Sequence, residues 1–186
     1  MKILDTHHHL WDISLRTYEW INQLPKNESR MINKNFLYDD LLEISSKNKI
    51  NGTICVQAHQ SEDEAFWLLN LAKNSDLING VVCWVDLKGG NLEYTLDKYQ
   101  SDNKFVGIRH VWHDEKNEDW IMDEKVLNGL KVLSERGINF DFLVRPNHLK
   151  YIFEVYEKIP NLKGVINHIA KPRIKENIFE PWAKEM

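Results

Sequence analysis

Lys2-Ile3-Leu4-Asp5-Thr6-His7-His8-His9 opens the chain, and the way this stretch ends decides between two folds. It reads as a β-strand that terminates in three imidazoles. Five more strand-like runs follow, over residues 50–57, 78–87, 105–112, 138–144 and 162–169, with segments of helical period between them. Several runs are almost continuously apolar, as strands of a parallel sheet covered on both faces are. Six strands alternating with helices make a parallel α/β protein. A doubly wound sheet places a Gly-rich turn after its first strand, and no glycine stands near His7-His8-His9. A (β/α)8 barrel instead gathers its chemistry at the C-terminal ends of its strands. Polar residues stand at such ends here: His7 and His9, Gln57 and His59, Arg109 and His110, Arg145, and His168. The sequence therefore predicts the TIM-barrel class.

The helices between the runs have their own signatures. Tyr38, Leu41, Leu42 and Ser45 follow helical spacing, so one face of that helix is expected to be buried. Ser61-Glu62-Asp63-Glu64 has the pattern of a capping box, in which Ser61 accepts from the Glu64 amide and Glu64 reaches back. Val126, Leu130 and Leu133 form a further stripe, and Gly137 fits the left-handed position that ends that helix. Leu149, Ile152, Phe153 and Tyr156 form another, closed by Pro160, while residues 91–100 read as a weaker helix. Residues 11–36 read as a loop with a short helix.

Length and composition bound the remaining choices. The 186 residues carry 24 Lys+Arg against 28 Asp+Glu, a net charge of −4, so binding to nucleic acid through a basic field is not expected. Seven Trp, six Tyr and seven Phe are too much ring surface for a disordered chain. No stretch is long and apolar enough to span a bilayer. Cys55 and Cys83 lie in apolar runs without a CxxC spacing, and the N-terminus does not read as a secretory signal. Reduced thiols and a cytoplasmic location are the expectation. A closed barrel needs eight strands and typically about 250 residues. Six strands in one domain over 1–186 are therefore expected to be about six of eight βα units, with open edges at the first and sixth strands.

His7 and His9 are the strongest chemical signal. Residues two apart on a strand share a face, so both rings can enter one mouth and chelate a divalent ion, zinc first among them, while His8 points the other way. The competing reading is a polar strand end with no metal. His168, at the end of the sixth run, could complete that ligand set or donate a proton to a leaving group; an isolated buried His is more often bonded to backbone. Arg109 offers a fork that matches a carbonyl or carboxylate, against a plain salt bridge to a nearby acid. Gln57, His59 and His110 are candidate substrate lining. Arg145 is a weaker candidate, and His113 and His148 are weaker again. Asp5 is expected to brace the site by bonding backbone. Trp11, Trp84 and Trp112 read as core or wall. No GxSxG elbow, phosphate loop or CxxC is present, so nucleotide and hydride-transfer cofactors have no visible seat.

These residues fall into blocks that resemble a known family. Asp5-Thr6-His7-His8-His9-Leu10-Trp11-Asp12 and Tyr18-Glu19-Trp20-Ile21 look like the opening of the amidohydrolase-related (amidohydrolase 2) proteins, most closely their sugar-lactonase branch. Val56-Gln57-Ala58, Glu64-Ala65, Gly80 to Leu87, Gly107-Ile108-Arg109-His110, Phe140-Asp141-Phe142-Leu143 and Asn167-His168-Ile169-Ala170-Lys171-Pro172 continue the match in order. The resemblance implies a distorted (β/α)8 barrel that hydrolyses a cyclic ester or related bond. It maps the family's first-strand histidines to His7 and His9, its late-strand histidine to His168 and its substrate-contacting arginine to Arg109. Members differ over metal: some hold zinc and others work without it. The family's late acid, in a Gly-Ser-Asp-Trp-Pro-like block, has no counterpart in these 186 residues. The resemblance thus implies a hydrolase of carbohydrate metabolism acting on a small sugar lactone, with self-association left open. A metal-dependent decarboxylase on the same scaffold and a non-catalytic remnant that only binds ligand or metal are the rival readings.

Overall fold

A computed structural model describes residues 2–186 and contains six β-strands: β1 (Leu4–His8), β2 (Gly52–Val56), β3 (Ile78–Cys83), β4 (Phe105–His110), β5 (Asn139–Phe142) and β6 (Lys163–Ile166). Eight α-helices alternate with them: α1 (Glu19–Asn22), α2 (Lys26–Ile32), α3 (Tyr38–Asn48), α4 (Glu62–Lys73), α5 (Leu92–Gln100), α6 (Glu124–Glu135), α7 (Leu149–Lys158) and α8 (Trp182–Glu185). The fold is α/β of the (β/α)8-barrel type, with six βα units present, as the sequence predicts. No helix among the described residues is long and apolar enough to cross a membrane.

The chain divides into two compact units. The first comprises Met1–Trp84 and Asp102–Phe105, the second Val85–Ser101 and Val106–Met186. In the first unit β1 pairs with β2 and β2 with β3, all parallel. Cys55, Val56, Ala65, Leu68, Ala72, Ile78 and Val81 fill its core at 0–1% exposure, joining β2 and β3 to α4. Both cysteines are buried and not joined in a disulfide. Residues 11–36 are more ordered than a loop. Trp11, Tyr18 and Ile21 form a buried cluster with Trp20, Ile32, Phe36 and Ala58 packed against it, and α1 and α2 lie within the stretch. The Trp11 ring meets Trp20 and Phe36 at centroid distances of 5.6 and 4.5 Å, which supplies the apolar surface that no periodic pattern announced.

In the second unit β4 pairs with β5 and β5 with β6, again parallel. Val126, Leu130 and Leu133 of α6 are fully buried, as their spacing predicts. Gly137 takes φ 67° just after that helix, the conformation expected of it. Two other stripes need correction. Phe153 of α7 is exposed, and Val155 takes its place in the core. In the first unit, Leu42 of α3 is likewise exposed while Ser45 is buried. Both helices present a narrower apolar face than the four-residue patterns suggest, because the i+4 position, Leu42 or Phe153, lies outside it.

α6 approaches the backbone after β3 closely enough to require glycine. A Cβ on Gly129 would stand 2.5 Å from the Leu87 carbonyl oxygen, a backbone atom that cannot rotate away. Gly129→Ala is therefore expected to lower the free energy of unfolding by about 1–3 kcal/mol, despite alanine's better helix propensity. Chemical denaturation checks this, and a variant as stable as the parent would contradict the close contact.

Candidate functional site

In the first unit, β1 delivers His7 and His9 as the alternation predicts, although His9 falls just beyond the strand. Their Nε2 atoms lie 3.3 Å apart, with the rings edge to face at a centroid distance of 5.0 Å. His9 Nδ1 stands 2.7 Å from the Val56 carbonyl oxygen. A carbonyl only accepts, so Nδ1 carries the ring proton and Nε2 of the neutral ring is the nitrogen that carries a lone pair. Asp5 holds the turn of the strand by accepting from the His7 amide at 3.1 Å, the bracing role expected of it. His8 points elsewhere and meets the Thr53 hydroxyl at 3.0 Å; burial depresses its basicity.

This pair fits a divalent ion. Two nitrogens bonded to one tetrahedral zinc at about 2.0–2.1 Å are separated by about 3.3 Å, which is the spacing observed between the two Nε2 atoms. The Val56 carbonyl provides the outer hydrogen bond that fixes the ligating nitrogen of a metal-bound imidazole. Among the described residues, no group of three or more His, Cys, Asp or Glu side chains is gathered around one point. The fit is therefore that of a two-histidine chelate.

The second unit holds Arg109, His110 and His168. Arg109 on β4 is buried, and its Nη1 donates to Asn167 Oδ1 at 3.5 Å. Asn167 Nδ2 in turn donates to Asp141 Oδ2 at 3.0 Å. Burial raises the Asp141 carboxyl above its ordinary range, while Asn167 and then Arg109 pull it down. His110 is buried, 2.7 Å from Glu115 Oε1 and stacked on Trp120 at 4.0 Å. Its basicity is depressed by burial despite that carboxylate. His168 does not end a strand. β6 stops at Ile166, and His168, Ile169, Ala170 and Lys171 take φ values of 52°, 47°, 56° and 50°. Four successive left-handed residues without a glycine cost roughly 1–2 kcal/mol each, which a run of apolar letters could not disclose. Lys171 Nζ from this turn lies 2.9 Å from His113 Nε2, and His113 Nδ1 lies 2.7 Å from Asp114. Arg145 and Lys171 help line an open cleft of about 800 Å³ whose wall includes Trp182.

Gln57 is buried, and His59 follows it in the loop between β2 and α4, edge to face with Tyr18 at 5.7 Å. The residue that organises this loop is Glu64. It is completely buried, and its Oε2 accepts from the amides of Ala58 at 2.9 Å and His59 at 2.7 Å. The Ser61 half of the expected capping box is present at 3.3 Å, but the Glu64 half reaches past the cap into the preceding loop. The spacing pointed to a helix start; the burial that makes Glu64 distinctive has no local signature. Trp11 and Trp112 belong to the core, as expected, and so does His148, beside the Trp112 ring at 4.9 Å.

Comparison with known proteins follows the same lines. The amidohydrolase family model Amidohydro_2 matches residues 4–186. This chain belongs to that amidohydrolase family. It is similar to an L-fucono-1,5-lactonase of Burkholderia ambifaria, 30% identical over 179 residues that make up 96% of this chain and 60% of the relative. It is also similar to an L-fucono-1,5-lactonase of Burkholderia multivorans, 26% identical over 93% of this chain and 57% of that protein. Among solved structures, an amidohydrolase from Burkholderia multivorans with bound zinc superposes with a TM-score of 0.89 at 24% identity, over 100% of this chain and 64% of that one. The chain thus spans about three-fifths of the length of these lactonases.

Glu64 makes stability depend on pH. Burial pushes its carboxyl up to about 7, against the pull of the His59 and Ala58 amides, Tyr18 and Arg16. The folded state then holds this proton more tightly than the unfolded chain, whose carboxyl ionises near its ordinary value of 4.5. The contribution is fully favourable below that value and is lost as pH rises to about 7, by about 3 kcal/mol in all. Glu64→Gln lacks this titration. Its unfolding free energy relative to the parent should climb by about 3 kcal/mol between pH 4 and pH 8, measured by denaturation across pH. A constant difference would show that Glu64 ionises at its ordinary value.

Proposed function

We propose that this chain forms the histidine-bearing part of a metal-assisted hydrolase that opens a sugar lactone or a related cyclic ester by attack of water. The observation that carries the reading is the His7–His9 pair, with its 3.3 Å nitrogen spacing and the His9 tautomer set by Val56. The similarity to two lactonases supports the substrate class, and a zinc-containing structural neighbour supports the ion.

The proposed roles follow from the chemistry of each group. His7 and His9 hold the ion through their Nε2 atoms. A bound divalent ion supplies Lewis acidity toward a carbonyl oxygen or a water. Arg109 donates N–H groups to the substrate carbonyl and stabilises the charge that develops on its oxygen. Gln57, His59 and His110 line the substrate. His168 is either a further ligand or the acid that returns a proton to the leaving alkoxide as the ring C–O bond breaks. Its basicity is depressed by burial, then by Lys171 and Arg109, which favours the neutral ring required of a ligand. The substrate this chemistry takes is a small molecule, a sugar lactone or cyclic ester.

Zinc titration calorimetry together with a lactone hydrolysis assay tests the reading. The parent protein should bind zinc and turn over lactone. His7→Ala and His9→Ala should each weaken zinc binding by about 100-fold or more, beyond the roughly 10–100-fold typical of losing a group that merely orients a ligand. His168→Ala distinguishes its two roles: lost affinity marks a ligand, and retained affinity with slow turnover marks the acid. Zinc binding without turnover would support the non-catalytic reading. Zinc affinity and turnover unchanged in the His7 and His9 variants would refute the proposal.

A further inference from the structure

β4, β5 and the chain just after β6 bring together three buried polar residues that composition and motif did not link. Arg109 and Asp141 are cross-strand partners in the parallel register, so their side chains leave the same face of the sheet. Asn167 lies beyond the end of β6 and uses both ends of its amide: Nδ2 donates to Asp141 Oδ2 at 3.0 Å, and Oδ1 accepts from Arg109 Nη1 at 3.5 Å, the outer limit of a hydrogen bond. All three residues are at most 7% exposed. The left-handed turn that carries His168 starts at the next residue.

We infer that Asn167, anchored by Asp141, is a positioning residue that orients the Arg109 guanidinium and fixes the point from which the His168 turn departs. An amide is suited to this place because it can donate to a carboxylate on one side and accept from a guanidinium on the other. A carboxylate at residue 167 would face Asp141 without a proton to share. An apolar residue would remove the amide donor that Asp141 accepts from and the oxygen that Arg109 donates to. Strain in the following turn also requires a firm anchor, since αL residues without glycine persist only where their surroundings over-determine them. The significance for catalysis rests on the lactonase reading, in which Arg109 and His168 act on substrate; the geometric claim does not.

Exchanging the two polar groups tests it. Asn167→Asp alone sets two carboxylates against each other. The double variant Asp141→Asn, Asn167→Asp restores the chain of bonds with the bond between residues 141 and 167 reversed: the new amide at 141 donates to the new carboxylate at 167, which also accepts from Arg109. Two readouts are taken on the intact chain. Nitrogen-15 NMR of the Arg109 guanidinium should show a single slowly exchanging set of N–H signals in the parent. That signature should be lost in Asn167→Asp and in Asn167→Ala, and regained in the exchange variant. Lactone kinetics should show kcat/KM falling by about tenfold or more in the single variants, the loss expected of a misplaced charge-assisted bond, with recovery in the exchange variant. An Arg109 signal that is unchanged in the single variants, or not recovered in the exchange variant while thermal unfolding shows a folded chain, would overturn the inference. An NMR pattern as expected without lactone turnover in the parent would support the positioning role and remove only the lactonase reading.

Discussion

The hydrogen bond from His9 Nδ1 to the Val56 carbonyl is the constraint on which the proposed chemistry of this molecule depends. It settles which nitrogen of His9 carries the proton and turns the other toward His7. Without it the ring could present either edge, and a chelating pair would exist only part of the time. The bond is available because β2 lies parallel and adjacent to β1, with Leu4 opposite Gly52 and His8 opposite Cys55. Val56 is the last residue of its strand, where a carbonyl can be offered to a side chain instead of to the sheet. Strand pairing therefore determines a tautomer, and the tautomer determines what the histidines can hold.

Each unit also buries a charged group by answering it with donors or acceptors close at hand. In the first, Glu64 is met by two backbone amides, which are fixed dipoles and cost no side-chain entropy. In the second, Arg109 is met by Asn167, with Asp141 behind it. The two solutions differ in rigidity. A carboxylate clamping backbone holds a loop in place, whereas an amide between two charges holds a side chain.

Much of this was legible in the sequence because strands and amphipathic helices write periodic patterns. The six strands are legible, with ends displaced by at most four residues, and so is α6 with its buried face and its closing glycine. His7 and His9 were found because a two-residue repeat on a strand fixes their common face. Other features leave no periodic mark. The aromatic cluster of Trp11, Tyr18 and Ile21 depends on contacts between α1, α2 and the β2–α4 loop, so residues 11–36 read only as a loop with a short helix. The left-handed run from His168 to Lys171 contains no glycine to announce it, and its positive φ values depend on its tertiary setting. Asp141 and Asn167 were read as parts of family blocks, because a polar residue within an apolar run does not reveal its partner. Glu64 was assigned to a helix cap for the same reason.

X-ray absorption at the zinc edge of the zinc-loaded protein tests the central claim most directly. The chelate described here predicts imidazole scattering from two histidines, with nitrogen shells at about 2.0–2.1 Å, and loss of that pattern when His7 and His9 are both replaced by alanine. A zinc environment without histidine scattering, or one that the double substitution leaves unchanged, would contradict it.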